Sequence, residues 1–339
     1  MRGRRLRPAR AGPTLQAALA GLGWLVVGVL GGGAVARAVD WDGTLLFVAI
    51  DVTNGLFYLP AWLVLLGAAA GRRLALGLAA LAVVAAQLAF AAPELLAARA
   101  LPSWAAHAGT IRLLDANVGA DKGNTDMAGY ERQIAALRPD LVTLEEASPG
   151  DVAQLDRSPA LRRLTHRFEV QGAAPWGFAI ASRYPFHVAG ILWAGGNPFL
   201  VAASVRTPGG PVRLWVVHTD APVVSMSLWR SDLRRIAERA QRRGTGRLLI
   251  AGDFNASWGN KGFREVVDSD LADAAAARGR PFDMTWPQGE WFPPLVRIDH
   301  VLAGRGVAVT SISAGEGPGS DHHDLVASVA LLPGGGRSG

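Results

Sequence analysis

Apolar positions are spread unevenly along the 339 residues. Between residues 15 and 92 they run almost unbroken in three segments, at about 15–35, 44–70 and 74–92. Each approaches the ~20 residues that carry a helix across ~30 Å of hydrocarbon. The pattern predicts three transmembrane helices in a membrane arm over 15–94, preceded by a basic N-terminus over 1–14. Asp51 lies inside the second segment, either near the outer interface, the favoured place, or facing a neighbouring helix or partner where it is hydrated or paired. Residues 95–109, broken by Pro102, Ser103 and Gly109, read as a connector in which Trp104 suits a membrane interface.

From residue 110 to 333 the pattern changes to short β-type runs. IRLLDANV, DLVTLE, GFAIAS, FLVAASVR, VRLWVVH, RLLIAGD, VRIDHVL, VAVTSI and LVASVALL each read as a strand. Helical periodicity is confined mainly to residues 127–137 and 227–243. So many strands with so few helices between them disfavour a simple parallel βαβ array. They predict an α/β fold of two packed mixed β-sheets flanked by helices. The Gly-rich stretch 334–339 reads as a disordered tail.

Charge refines this division. The formal net charge is +6, but residues 1–104 hold 9 of the 34 basic and 4 of the 28 acidic residues, leaving 25 and 24 beyond them. The excess is therefore a property of the arm, where orientation explains it better than a polyanion groove does. Arg2, Arg4, Arg5, Arg7, Arg10 and the Arg72-Arg73 turn belong on the cytoplasmic side, and the loop with Asp40 and Asp42 outside. Three crossings then deliver residue 100 onward to the extracytoplasmic side. The absence of cysteine excludes disulfides, cysteine zinc sites and thiol catalysis.

Candidate chemistry sits where apolar runs end. Asn117, Glu145 and Glu146, His218, Asp253 and Asn255, and Asp299 and His300 follow predicted strands, and Asp321 and His322 follow a Gly-rich loop. A rigid strand that ends in an acid, amide or imidazole holds a reactive group at a sheet edge.

In chain order, LLDANVG, RPDLVTLEEA, GFAIASRYP, VVHTDAP, LLIAGDFNAS, RIDHVLAG and GSDHHDLVASVAL resemble the endonuclease/exonuclease/phosphatase superfamily, the DNase I-like fold. The resemblance spans roughly residues 110–333 and implies a four-layer α/β sandwich with the active site at one edge of the facing sheets. It implies Glu146 as the metal-binding acid, with Asn117 and Asp321 beside the metal, while Glu145 stands where the family often has Gln. It further implies Asp253 as the group that orients or deprotonates the attacking water. Asn255 and His218 would contact the phosphate, and Asp299 would hydrogen-bond a phosphate-facing His322. His300 and His323 adjoin these motifs as bystanders. Gly119 stands where some nucleases carry an acid or amide, which weakens any close analogy with abasic-site endonucleases.

Oxygen-rich ligands without thiols favour Mg²⁺ or Mn²⁺. The expected activity is divalent-metal-dependent hydrolysis of a phosphodiester substrate, with nucleic acid favoured over phospholipid or inositol phosphate. The other readings are a lipid or inositol-phosphate phosphodiesterase held at the lipid bilayer by its N-terminal helices, and an inactive receptor for phosphorylated ligands. Trp176, Trp193, Trp258, Trp286 and Trp291 could line a rim for either bases or lipid.

Overall fold

The computed structural model describes residues 12–53, 55–119, 125–173 and 175–332. The Arg cluster at residues 2–10 and the tail at 334–339 lie outside them. The chain forms two units, one of residues 1–43 and 54–92 and the other of residues 44–53 and 93–339.

The first unit is apolar and helical. α1 (Pro13–Ala38) and α4 (Leu74–Leu95) are each long and apolar enough to cross a bilayer. The second apolar segment does not form the single span its hydropathy predicts. It breaks into α2 (Leu45–Val52), a 3-10 turn at Leu56–Tyr58 and α3 (Pro60–Ala70). Among the described residues two helices are clear candidate spans, and the expected third rests on whether the broken segment counts as one span.

Polar side chains tie this unit together internally. Gln87 accepts from Trp62 Nε1 at 2.8 Å and donates to the Gly55 carbonyl at 2.7 Å. Arg73 donates to the Gln16 carbonyl at 2.7 Å, so the α3–α4 turn lies at the same end as the start of α1. Leu19, Leu22, Leu25, Leu63, Leu66 and Leu78 remain exposed on the outer faces.

The second unit includes α2, which packs with it through a buried Val48. Asp51 therefore belongs to the second unit, where it is buried.

Two six-stranded sheets build the rest. In chain order the strands are β1 (Thr110–Asn117), β2 (Leu141–Glu145), β3 (His166–Gln171), β4 (Gly177–Ser182), β5 (Phe186–Ala194) and β6 (Asn197–Thr207). They continue with β7 (Gly210–His218), β8 (Leu248–Asp253), β9 (Ala272–Asp273), β10 (Asp299–Ala303), β11 (Val307–Glu316) and β12 (His323–Leu331). One sheet runs β11-β12-β1-β2-β4-β3 and the other β5-β6-β7-β8-β10-β9. β1 with β2 and β7 with β8 are parallel, and the other pairs are antiparallel.

Alternation along each strand sorts side chains into layers. Leu113, Leu141, Val216, Leu249 and Ala251 meet between the sheets. Their neighbours Leu114 and Val142 turn outward to α5 (Met127–Leu137) and α6 (Pro149–Asp156). Leu248 and Ile250 turn to α7 (Pro222–Arg243), α8 (Lys261–Val267) and α2; α9 (Ala274–Ala277) follows β9. Both faces of the central strands are buried, which is why they read as unbroken apolar runs. The edge strands β3 and β5 are half-exposed, and their weaker pattern left them without a predicted element.

Gly252 lies within β8, immediately before Asp253, with φ +132°. A Cβ there would sit 2.0 Å from the Val217 carbonyl oxygen on parallel β7. Gly252→Ala is expected to cost roughly 2–5 kcal/mol from backbone strain and overpacking together. Thermal unfolding of the full chain in detergent checks this, and an unchanged midpoint would refute it.

Candidate active site

The layer between the sheets is hydrocarbon through most of its length and turns polar at one end. Asn117 shares a face of β1 with Leu113, Glu145 shares one of β2 with Leu141, and Asp253 follows Ala251 on β8 with the same parity. Register brings the parts side by side: Asn117 opposite Glu145, His218 opposite Asp253, and Asp299 opposite Asp253. Three adjacent strand ends of one sheet thus face two of the other.

Glu146 lies just past the end of β2 at φ +53°, and Asn255 just past β8 at φ +47°. Left-handed backbone at residues other than Gly is uncommon and concentrates at functional sites. Here it separates two consecutive acids. Glu145 is fully buried, while Glu146 turns toward the facing sheet. Burial first, and the nearby Asp115 charge second, push the Glu145 carboxyl well above its usual range. Asp115 is itself raised by burial to about 7, although Thr143 donates to it.

The Asn117 amide joins the sheets. Its Nδ2 donates to Glu146 Oε1 and to Asp253 Oδ2, each at 3.1 Å. His218 Nε2 lies 3.4 Å from the same Glu146 oxygen and 3.9 Å from Asp253 Oδ2. Asn255 donates its backbone N–H to Asp253 Oδ1 at 2.7 Å, and its side chain to the Thr219 carbonyl at 3.1 Å. His322 Nδ1 is 3.0 Å from Asp299 Oδ2, and its Nε2 is 3.9 Å from Asp253 and 4.0 Å from Asp321. Asn117, Glu146, His218, Asp253, Asn255, Asp299 and His322 therefore meet at one edge, with Asp321 at the rim, whereas Glu145 is fully buried and His300 pairs with Asp273.

Electrostatics divides the two imidazoles. Burial, with the His322 charge behind it, pushes His218 down to about 3, so it is neutral. Burial also opposes charge on His322, but the Asp299 carboxylate overrides it through charge and hydrogen bond. With Asp253 and Asp321 beyond, His322 is pushed up to about 10. Asp299 is held below the usual range: burial would raise it, but the charge and hydrogen bond of His322, with Thr285 and His300, together outweigh burial. Asp253 is pushed well above its range by burial and then by the Asp299 charge.

These carboxylates suit a cation. Atoms of Asp253, Asp299 and His322 lie within 4.8 Å of one another, but the His322–Asp299 hydrogen bond occupies two of those groups with each other. The Glu146 oxygen that shares the Asn117 amide with Asp253 is the better anchor, a hard oxygen ligand, and a divalent cation on it would offset the like-charge repulsion that adds to burial in raising Asp253.

Several supporting residues were not singled out from sequence. Ser320 donates to the Asn117 carbonyl at 2.6 Å and accepts from His322 N–H at 3.0 Å. Buried Thr285 accepts the Ile298 and Asp299 N–H groups at 3.1 and 3.2 Å. A Ser beside the Asp-His motif was a signal for the first; the second is remote in sequence and carries none. Of the tryptophans, Trp176 stacks on His218 at 4.7 Å, and Trp286 donates to Asp321 at 3.2 Å. Trp291 is 91% exposed near the latter in sequence. Trp258 instead joins the core cluster behind β8, and Trp193 lies on edge strand β5. His300 is buried between Asp273 and the Ala256 carbonyl, a structural clasp and not part of the site.

Residues 116–322 match the Endonuclease/Exonuclease/phosphatase family. No curated protein matches the chain. Among solved structures, truncated Caenorhabditis elegans TDP2 is similar at TM-score 0.53 and 17% identity, over 66% of this chain and 98% of that one. D. rerio TDP2 complexed with single strand DNA product gives 0.51 and 17%, over 66% and 100%. An endonuclease/exonuclease/phosphatase from Beutenbergia cavernae gives 0.50 and 21%, over 66% and 72%. At these identities the likeness concerns the fold: two mixed sheets flanked by helices. With most of its length matched from the first strand end to His322, the chain belongs to the endonuclease/exonuclease/phosphatase family of hydrolases acting on phosphoester bonds.

Proposed function

We propose that the protein hydrolyses phosphodiester bonds with a bound divalent cation, Mg²⁺ or Mn²⁺, that nucleic acid is its substrate class, and that it works outside the cytoplasmic membrane. The observation that carries this reading is the Asn117 amide bridging Glu146 and Asp253 beside the His322–Asp299 pair.

A phosphodiester resists attack because its charge repels nucleophiles and its leaving oxygen is poor. Glu146, Asn117 and Asp321 would hold the cation, which supplies positive charge to the phosphate oxygens. Asp253, fixed by the Asn117 and Asn255 donors, orients the attacking water. Its raised proton affinity suits a group that takes a proton. Protonated His322 places a preorganised positive donor where charge accumulates in the transition state. Neutral His218 and the Asn255 amide contact the phosphate, with Trp176 packing on the His218 ring.

Two observations support the substrate class. A DNA product occupies the similar D. rerio structure, and exposed aromatic rings, Phe282, Trp286 and Trp291, crowd one loop whose Trp286 touches Asp321. Stacking on such rings suits unpaired bases at ~1–3 kcal/mol each. For location, the Arg73–Gln16 bond sets the Arg72-Arg73 turn and the start of α1 at one end of the apolar unit. The positive-inside rule makes that end cytoplasmic. If residues 56–70 supply a third, shorter pass between α1 and α4, residues 93 onward lie outside.

The full chain in detergent, with Mg²⁺ or Mn²⁺, is expected to cleave single- or double-stranded oligonucleotides in preference to sphingomyelin or inositol phosphates. Asp253→Asn and Glu146→Gln should each lower kcat by at least ~10³-fold with the fold intact, the scale on which loss of a central catalytic group is felt. Preferred turnover of lipid would overturn the substrate class. Unimpaired variants would overturn the site.

A second expectation concerns pH. Asp299 raises His322, so the imidazolium persists until pH approaches the raised pKa of about 10. Asp299→Asn removes the chief raising influence. Its activity should decline as pH rises through a lower value, shifting the alkaline limb to the acid side. An unshifted limb in the pH–kcat profile would show that His322 does not act as the cation.

A further inference from the structure

Residues 44–53 are as apolar as the spanning helices, yet they fold into the catalytic unit. Val48, 2% exposed, joins a cluster with Trp229, Leu233, Phe254 and Phe263. The last carbonyls of a helix need partners beyond the helix itself. Ser257 Oγ donates to the Val52 carbonyl at 2.9 Å, and Asn260 Nδ2 donates to the Val48 carbonyl at 3.2 Å. Gly259 lies against the same helix end, and a Cβ on it would fall 1.5 Å from the Asp51 carbonyl oxygen.

The segment that receives α2 is itself tightly turned. Ser257 N–H donates to Asn260 Oδ1 at 2.9 Å, and Gly259 N–H donates to Ser257 Oγ at 3.1 Å. It begins two residues after Asn255. Phe254, between Asp253 and Asn255, packs in the same cluster as Val48, while its carbonyl accepts from Thr219 Oγ1 at 2.6 Å. The back of the Asp253-Phe254-Asn255 segment is thus covered partly by a helix that the chain supplies from between its two clear apolar spans.

We propose that residues 44–53 are a positioning element of the catalytic unit, whose docking on residues 257–260 holds Asp253 and Asn255 in register. The docking stands on geometry alone, and its effect on turnover rests on the phosphoesterase reading.

The test uses the full chain in detergent micelles, with amide hydrogen exchange and kinetics read together. Gly259→Val drives a side chain into the α2 carbonyls, and Val48→Asp puts a charge in the apolar cluster. Each should raise exchange at residues 44–53 and 253–260 by at least about tenfold. Each should also lower kcat by about tenfold or more while KM stays within about threefold. Ile134→Ala, on the opposite face of the sandwich, serves as the control for general loss of stability. It should leave exchange at both segments and kcat within about twofold of the unaltered chain.

Should the harsher variants fail to fold, Ser257→Ala removes only hydrogen bonds, and several-fold faster exchange at residues 253–260 is expected. Unchanged protection in that variant, free exchange of residues 44–53 in the unaltered chain, or a kcat loss in Ile134→Ala equal to that in Gly259→Val would each overturn the proposal. Absence of turnover on every substrate would strike the phosphoesterase reading, while the exchange data would still decide the docking.

Discussion

Two carboxylates, Glu146 and Asp253, face each other at the end of a hydrocarbon-filled sandwich, and a single amide holds both. Like charges that close in a buried place repel and lose hydration, and they persist only where the surrounding structure fixes them. Asn117 spans the two sheets to do so, and Ser320 secures its backbone in turn. The apolar layer behind these groups keeps the sheets in register. The close approach of Gly252 to β7 lets His218 and Asp253 stand side by side. Fold and site are one construction: the hydrophobic core sets the spacing, and the polar end of that core carries the chemistry.

The same environment separates two imidazoles a few ångströms from shared carboxylates. His322 is charged because Asp299 pairs with it, and His218 is neutral because burial and the His322 charge oppose protonation. One family of side chain thereby provides a fixed positive donor and a neutral contact in a single pocket. No residue-type motif conveys that difference. It depends on which carboxylate each ring meets.

What the sequence discloses follows from what physically repeats in it. Strands buried on both faces, such as β2, β4, β7 and β8, are continuous apolar runs, and the groups at their ends were readable as a set. β3 and β5 were not, because edge strands alternate weakly and carry exposed polar positions. Thr285 and Ser320 act by hydrogen bonds to neighbours distant in sequence, which leave no periodic trace. The apolar run at 44–70 shows the converse limit: hydropathy registers its residues without registering what surrounds each. On α2 Val48 and Ile50 are buried, whereas Leu45 and Leu46 on the same helix and Leu63 and Leu66 on α3 are exposed.

The account turns on Glu146 as the carboxylate that holds the cation, and calorimetric titration of Mn²⁺ into the full chain tests it most directly. It predicts saturable binding that weakens by at least about tenfold in Glu146→Gln, the scale of loss seen when metal sites are disturbed. Binding of equal strength in the unaltered chain and in that variant would contradict it, as would no binding at all by the folded protein.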